Sequence, residues 1–286
     1  MSLNDSTTRT IRIVSGSSTV SFSDGNTFTL KLPQSGFQTG KDEISLKSLT
    51  IYNSWFNISQ EKGNNQFSYI WPGAGSFPVV IADGIWDFSD IMNYFKQVMK
   101  KNGHYLIDST GLEHFYLDLV VNPVLYCLSF TATPLPTALP EDWQNPSGMA
   151  LGDGLTPQMT IPATFSRLTG FAPGNYPADP ATTLFQVNSG VPQITDVTTL
   201  NLSCNLLDKT GFSFGPGVLA SFVQPEGTRP GSLISIEPTN LDWVPVQQQQ
   251  IFQEVSISLV DQLMRPVTIH DPTGMVAILN VRRRRN

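Results

Sequence analysis

Apolar residues fall at alternate positions along most of this chain, the period of a strand with one face buried. Phe28, Leu30 and Leu32 share a side before Pro33 ends the run, and residues 10–14 alternate in the same way. Within residues 43–51 the pattern turns Ile44, Leu46, Leu49 and Ile51 inward, with a change of register at Ser48. Residues 66–71 and 77–82 predict a hairpin across Pro72-Gly73-Ala74-Gly75. Further strands are predicted at 105–108, 115–121 and 125–131, with Asn122-Pro123 turning the last two. The alternation resumes at 198–206, 217–223, 233–238, 253–260 and 274–281.

One segment keeps a different period. Ile91, Tyr94, Phe95, Val98 and Met99 recur at helical spacing and predict a helix over residues 87–102. Asp87 and Asp90 supply a capping pair, Lys100 and Lys101 suit the last turn, and Gly103 offers a left-handed stop. Residues 132–160 are rich in Pro, Gly, Ala and Thr without any period, and predict a surface loop or an extension lying on something else. About ten strands and one helix predict an all-β protein, an antiparallel jelly-roll sandwich with one inserted α-helix. We expect a single jelly-roll domain over residues 1–286, ending in a basic tail at 282–286.

Charged residues make up only 14% of the chain, against about 25% in an ordinary soluble domain. Much of the surface is therefore expected to be covered by neighbours, although abundant Ser, Thr, Asn and Gln could also solvate it. Arg282, Arg283, Arg284 and Arg285 form one cluster, so the rest of the chain carries about −10 of a formal net charge of −6. A body that acidic excludes a broad nucleic-acid face and leaves the terminal arginines as its one contact for a polyanion. They read either as a solvated terminus or as a contact with nucleic acid or an acidic neighbour. Cys127 and Cys204 are single and far apart, which predicts neither a disulfide framework nor a cysteine zinc site. No signal-like segment opens the chain and no run reaches membrane-spanning length, so a reducing compartment and no membrane insertion are expected.

Candidate chemistry is sparse. His104, His114 and His270 read as structural, and no Gly-x-Ser-x-Gly elbow, HExxH, P-loop or GxGxxG occurs. Asp87 with Asp90 suits a cap better than a glycosidase pair, and Glu141 with Asp142 suits a loop. No catalytic residue, metal site or cofactor is expected. Among five tryptophans, Trp55, Trp71 and Trp86 adjoin regular elements, whereas Trp143 and Trp243 are the candidates for inter-subunit anchors or a ligand platform.

Residues 64–99 (NNQFSYIWPGAGSFPVVIADGIWDFSDIMNYFKQVM) resemble the hairpin, glycine-aromatic turn and helix of penton (minor capsid) proteins of polintons, virophages and polinton-like viruses. Residues 167–177 (RLTGFAPGNYP), 200–208 (LNLSCNLLD) and 255–282 (VSISLVDQLMRPVTIHDPTGMVAILNVR) resemble later segments of that family, in the same order. The resemblance covers about two thirds of the chain and does not extend to 132–160. It implies a structural virion protein assembled inside the host cell: a homopentamer at icosahedral vertices beside trimers of a double-jelly-roll major capsid protein. On that reading the arginines lie on the inner side, near genomic DNA or the inner network of the shell. The alternatives are a carbohydrate-binding jelly roll or vertex spike for host attachment, using Trp143 or Trp243, and, with least support, a hydrolase on a β-sandwich.

Overall fold

The computed structural model describes residues 8–149, 151–195, 197–207, 217–224, 228, 231–248 and 250–284. The chain opens with β1 (Arg9–Val14), β2 (Val20–Ser23), β3 (Thr27–Lys31), β4 (Phe37–Gln38) and β5 (Asp42–Tyr52). There follow β6 (Gln66–Trp71), β7 (Gly75–Val80), α1 (Phe88–Lys101), β8 (Leu106–Ile107), β9 (Glu113–His114), β10 (Leu117–Asn122) and β11 (Cys127–Ala132). Next come β12 (Gln158–Ile161), α2 (Ala163–Thr169), β13 (Gly174–Tyr176) and β14 (Phe185–Asn188). The chain closes with β15 (Thr199–Cys204), β16 (Val218–Val223), β17 (Leu233–Ile236), β18 (Val244–Pro245), β19 (Ile251–Phe252), β20 (Glu254–Val260) and β21 (Val276–Arg283). These elements gather into two compact units, Met1–Trp55 with Val197–Asn286, and Phe56–Asp196.

The first unit is a two-sheet antiparallel sandwich. One sheet runs β1-β21-β5-β17, with β18 also on β5, and the other runs β16-β15-β20-β3-β2. Taking β1, β3, β5, β15, β16, β17, β20 and β21 as first to eighth, one sheet reads first-eighth-third-sixth and the other second-seventh-fourth-fifth. That interleaving is the double Greek key of a jelly roll. The second unit occupies the connection between the third and fourth of these strands. Alternation makes the sandwich cohere. Ile13, Ile44, Leu46, Leu49, Ile51 and Leu279 from one sheet join Phe28, Leu200, Leu202, Val255, Ile257 and Leu259 from the other in one buried cluster. The register change in β5 is a bulge: Ile278 faces Ser48 and Leu279 faces Leu46, leaving Lys47 as the extra residue, turned to solvent. Without it Leu49 and Ile51 would point away from the core.

The second unit holds a sheet β13-β12-β6-β7, a sheet β10-β11-β14, and both helices. α1 fills the predicted span. Asp87 Oδ1 accepts from the amide of Asp90 at 2.8 Å, the Asp90 carboxylate accepts from the amide of Asp87, and Gly103 follows at φ +77°. Ile91, Met92, Phe95 and Met99 are buried, and Phe95 meets Phe67 edge-on at 5.1 Å. α2 is an addition to the predicted set. Pro162 precedes it with no side-chain cap, and Gly170 ends it in the left-handed region. Residues 132–160, without an assigned place in the sequence, lie on their own unit. Leu135 is buried and its amide donates to Leu155 O, Gln144 bridges Ile107, and buried Thr156 exchanges hydrogen bonds with Ala181.

Candidate functional site

The arginine cluster begins inside a strand. β21 continues through Arg283, with Arg282 paired to Glu43 and Arg283 to Asp42 on β5. Strand alternation then sends successive arginines to opposite faces. Val281 points into the core, so Arg282 points outward. There its Nε and Nη2 donate to Glu43 Oε2 at 3.1 and 2.9 Å, and its guanidinium covers the Trp243 ring at 4.0 Å. Arg284 places Nε 3.7 Å from Glu43 Oε1 and donates its amide to Lys41 O. One carboxylate thus holds two of the four arginines, and Arg285 lies outside the described residues.

Arg283 keeps the core-facing parity of Val281, as Arg9 keeps that of Ile11 and Ile13 and Asp42 that of Ile44. At the end of the apolar layers these three side chains border a cleft of about 410 Å³, together with Phe37, Thr39 and Gly40. Thr39 Oγ1 donates to Gln247 O at 2.5 Å and Asp42 Oδ2 accepts from the Gly40 amide at 2.6 Å, which shapes that wall. Among the described residues neither Arg9 nor Arg283 is ion-paired. Arg9, Asp42 and Glu43 are not among the residues that the sequence singled out. The parity of Arg9 with Ile11 and Ile13 was the available clue.

Trp143 is half-buried in the second unit, its ring 4.5 Å from that of His114, and Trp243 is half-buried under Arg282 in the first. Each therefore has one face already taken. His104 is a core residue: its ring stacks on Trp71 at 4.2 Å and Nδ1 lies 2.8 Å from Tyr69 Oη. Asn102 Nδ2 donates to that same Oη, so the tyrosine hydroxyl donates to His104. Burial pushes the His104 pKa down to about 4 and holds the ring neutral. His114 Nε2 lies 2.7 Å from Asp108 Oδ2; this contact and the Thr110 hydroxyl hold the Asp108 carboxyl well below the usual carboxylate range. His270 donates its amide to Ser54 O, and Glu141 and Asp142 are exposed in a loop. Both cysteines are buried and free, and burial pushes the Cys204 thiol up to about 12. Among the described residues no group of three or more His, Cys, Asp and Glu could hold a metal, and no helix is long and apolar enough to cross a membrane.

Exposed apolar side chains are the other notable surface. At the tip of the β10–β11 hairpin, Val124 is 82% exposed and Tyr126 77%, with Val120, Val121 and Leu125 beside them. Asn122 Oδ1 accepts from the amides of Val124 and Leu125, so this tip is internally hydrogen-bonded while its side chains face out. The first unit exposes Val223, Leu233, Ile251 and Leu263.

No family model matches the chain, and no curated protein matches it. Among solved structures it is similar to the crystal structure of the selenomethionine-labelled mavirus penton protein, at 11% identity and a TM-score of 0.44, over 96% of this chain and 98% of that one. The jelly-roll assignment rests on strand order and needs no such likeness.

Proposed function

We propose that this protein is a structural virion component, a penton (minor capsid) protein that forms homopentamers at icosahedral vertices and contacts a double-jelly-roll major capsid protein. The observation that carries the reading is the jelly-roll strand order of the first unit, with the second unit set into one connection. The family-like segments support it, because they fall on the elements that build both units: 64–99 on β6, β7 and α1, and 255–282 on β20 and β21. A closed ring uses a heterologous contact, in which one flank of each copy meets a different flank of the next. Exposed Val124, Leu125 and Tyr126 are the kind of apolar surface that such contacts cover. The two units together serve as one building block, and the arginines face the interior of the shell.

The carbohydrate-binding alternative is weakened by the two tryptophans it would use, each with a face occupied by Arg282 or His114. Native mass spectrometry of the purified chain separates the readings. A species of about five times the 31.4 kDa protomer supports the ring, and a strict monomer that binds glycans overturns it.

A further inference from the structure

This end of the jelly roll carries positive charge that no carboxylate among the described residues pairs with at ion-pair distance. Register places Arg9 opposite Val281, which makes Arg9 and Arg283 diagonal neighbours on adjacent strands, about 7–8 Å apart. Arg9 stands level with Val281 and Ile44, one step beyond Ile11, and Arg283 stands one step beyond Val281, level with Asp42. Among the described residues lining the cleft, the two guanidiniums share a single carboxylate, Asp42, whose Oδ2 already accepts from the Gly40 amide. Arg282 borders the same cleft, but Glu43 and Trp243 hold its guanidinium. Like charges side by side on neighbouring strands repel, and an anion between them relieves that repulsion.

We propose that this cleft is an oxyanion site that takes a phosphate group between Arg9 and Arg283. The planar donor forks of two arginines suit the several acceptor oxygens of a tetrahedral phosphate better than the two of a carboxylate. A volume of about 410 Å³ leaves room for the group that bears the phosphate. This differs from a basic tail acting by charge alone: it selects Arg9 and Arg283 and leaves out Arg282 and Arg284. It stands independently of the assembly role.

Isothermal titration of the full-length protein at low salt tests it, with sodium tripolyphosphate and a single-stranded oligodeoxynucleotide as probes. Arg9→Gln and Arg283→Gln are each expected to weaken binding about tenfold, as the loss of charged hydrogen bonds does. Arg283→Lys, which keeps the charge and loses the fork, should weaken it severalfold, whereas Arg282→Gln and Arg284→Gln should change it less than about twofold. For the oligonucleotide, two contacts predict a log–log salt slope of about −1.4, against about −2.8 for four. The tighter probe identifies the source of the phosphate, a free polyphosphate or a strand backbone. Equal weakening by all the Gln variants, or no saturable binding of either probe, overturns the proposal. Circular dichroism of each variant shows that a loss of binding is not a loss of fold.

Discussion

His104 makes the stability of the second unit depend on pH below neutrality. Its ring is neutral in the fold because burial holds its pKa near 4, against an ordinary value of 6.5. The unfolded chain therefore takes up the proton first as pH falls. The native advantage is complete above about 6.5, shrinks as pH drops below that value, and stops changing once pH falls below about 4. Between pH 7 and pH 5 the two titrations differ by about 1.8 kcal/mol, and the full span is worth about 3.4 kcal/mol. His104→Phe keeps a ring against Trp71 but removes the titrating group. It also leaves the Tyr69 hydroxyl without its acceptor, at a cost of about 1–2 kcal/mol at pH 7. Hydrogen exchange of the β6 amides under graded urea reads the opening energy of this unit by itself. The wild-type chain should lose about 1.8 kcal/mol more than the variant on going from pH 7 to pH 5. An equal loss in both would refute the assignment of His104 as the group responsible.

Three further outcomes follow from named contacts. A Cβ on Gly274 would meet the Tyr52 ring, 2.7 Å from Cδ2, so Gly274→Ala should destabilise the jelly roll by about 1–3 kcal/mol in urea unfolding, and less in a Tyr52→Leu background. Glu43→Gln leaves Arg282 and Arg284 without their shared carboxylate, and, as both arginines are partly exposed, should cost about 1 kcal/mol and raise exchange at the β5–β21 end. Asp261 is buried; burial opposes its charge, but Arg265 and the amides of Leu263 and Arg265 outweigh that and lower its pKa. Asp261→Asn should therefore cost about 2–4 kcal/mol at pH 7, with the difference from wild type narrowing in acid as the native carboxylate protonates.

Local features were legible in the chain and distant ones were not. α1 announced itself because its cap, stripe and stop all lie within seventeen residues, Asp87 to Gly103. The β5 bulge showed as a break in alternation, one position from the extra residue Lys47. α2 escaped because a seven-residue helix with no side-chain cap leaves too few positions for a period. The run of arginines was visible as charge, yet its partition into two held by Glu43 and one facing a cleft depends on a partner 239 residues away. Strand order was beyond reach for the same reason, as alternation says which face is buried and nothing about which strand lies alongside.

The last strand of the chain lies between two of the first. β21 fills the slot between β1 and β5, so the sheet cannot close until the ribosome has passed Arg283, whereas Phe56–Asp196 is contiguous and finished long before. Until then β1 and β5 each offer a bare row of amides and carbonyls to any passing strand. A product cut short before Val276 keeps both rows open for good, and so is more inclined to clump than a chain that includes β21.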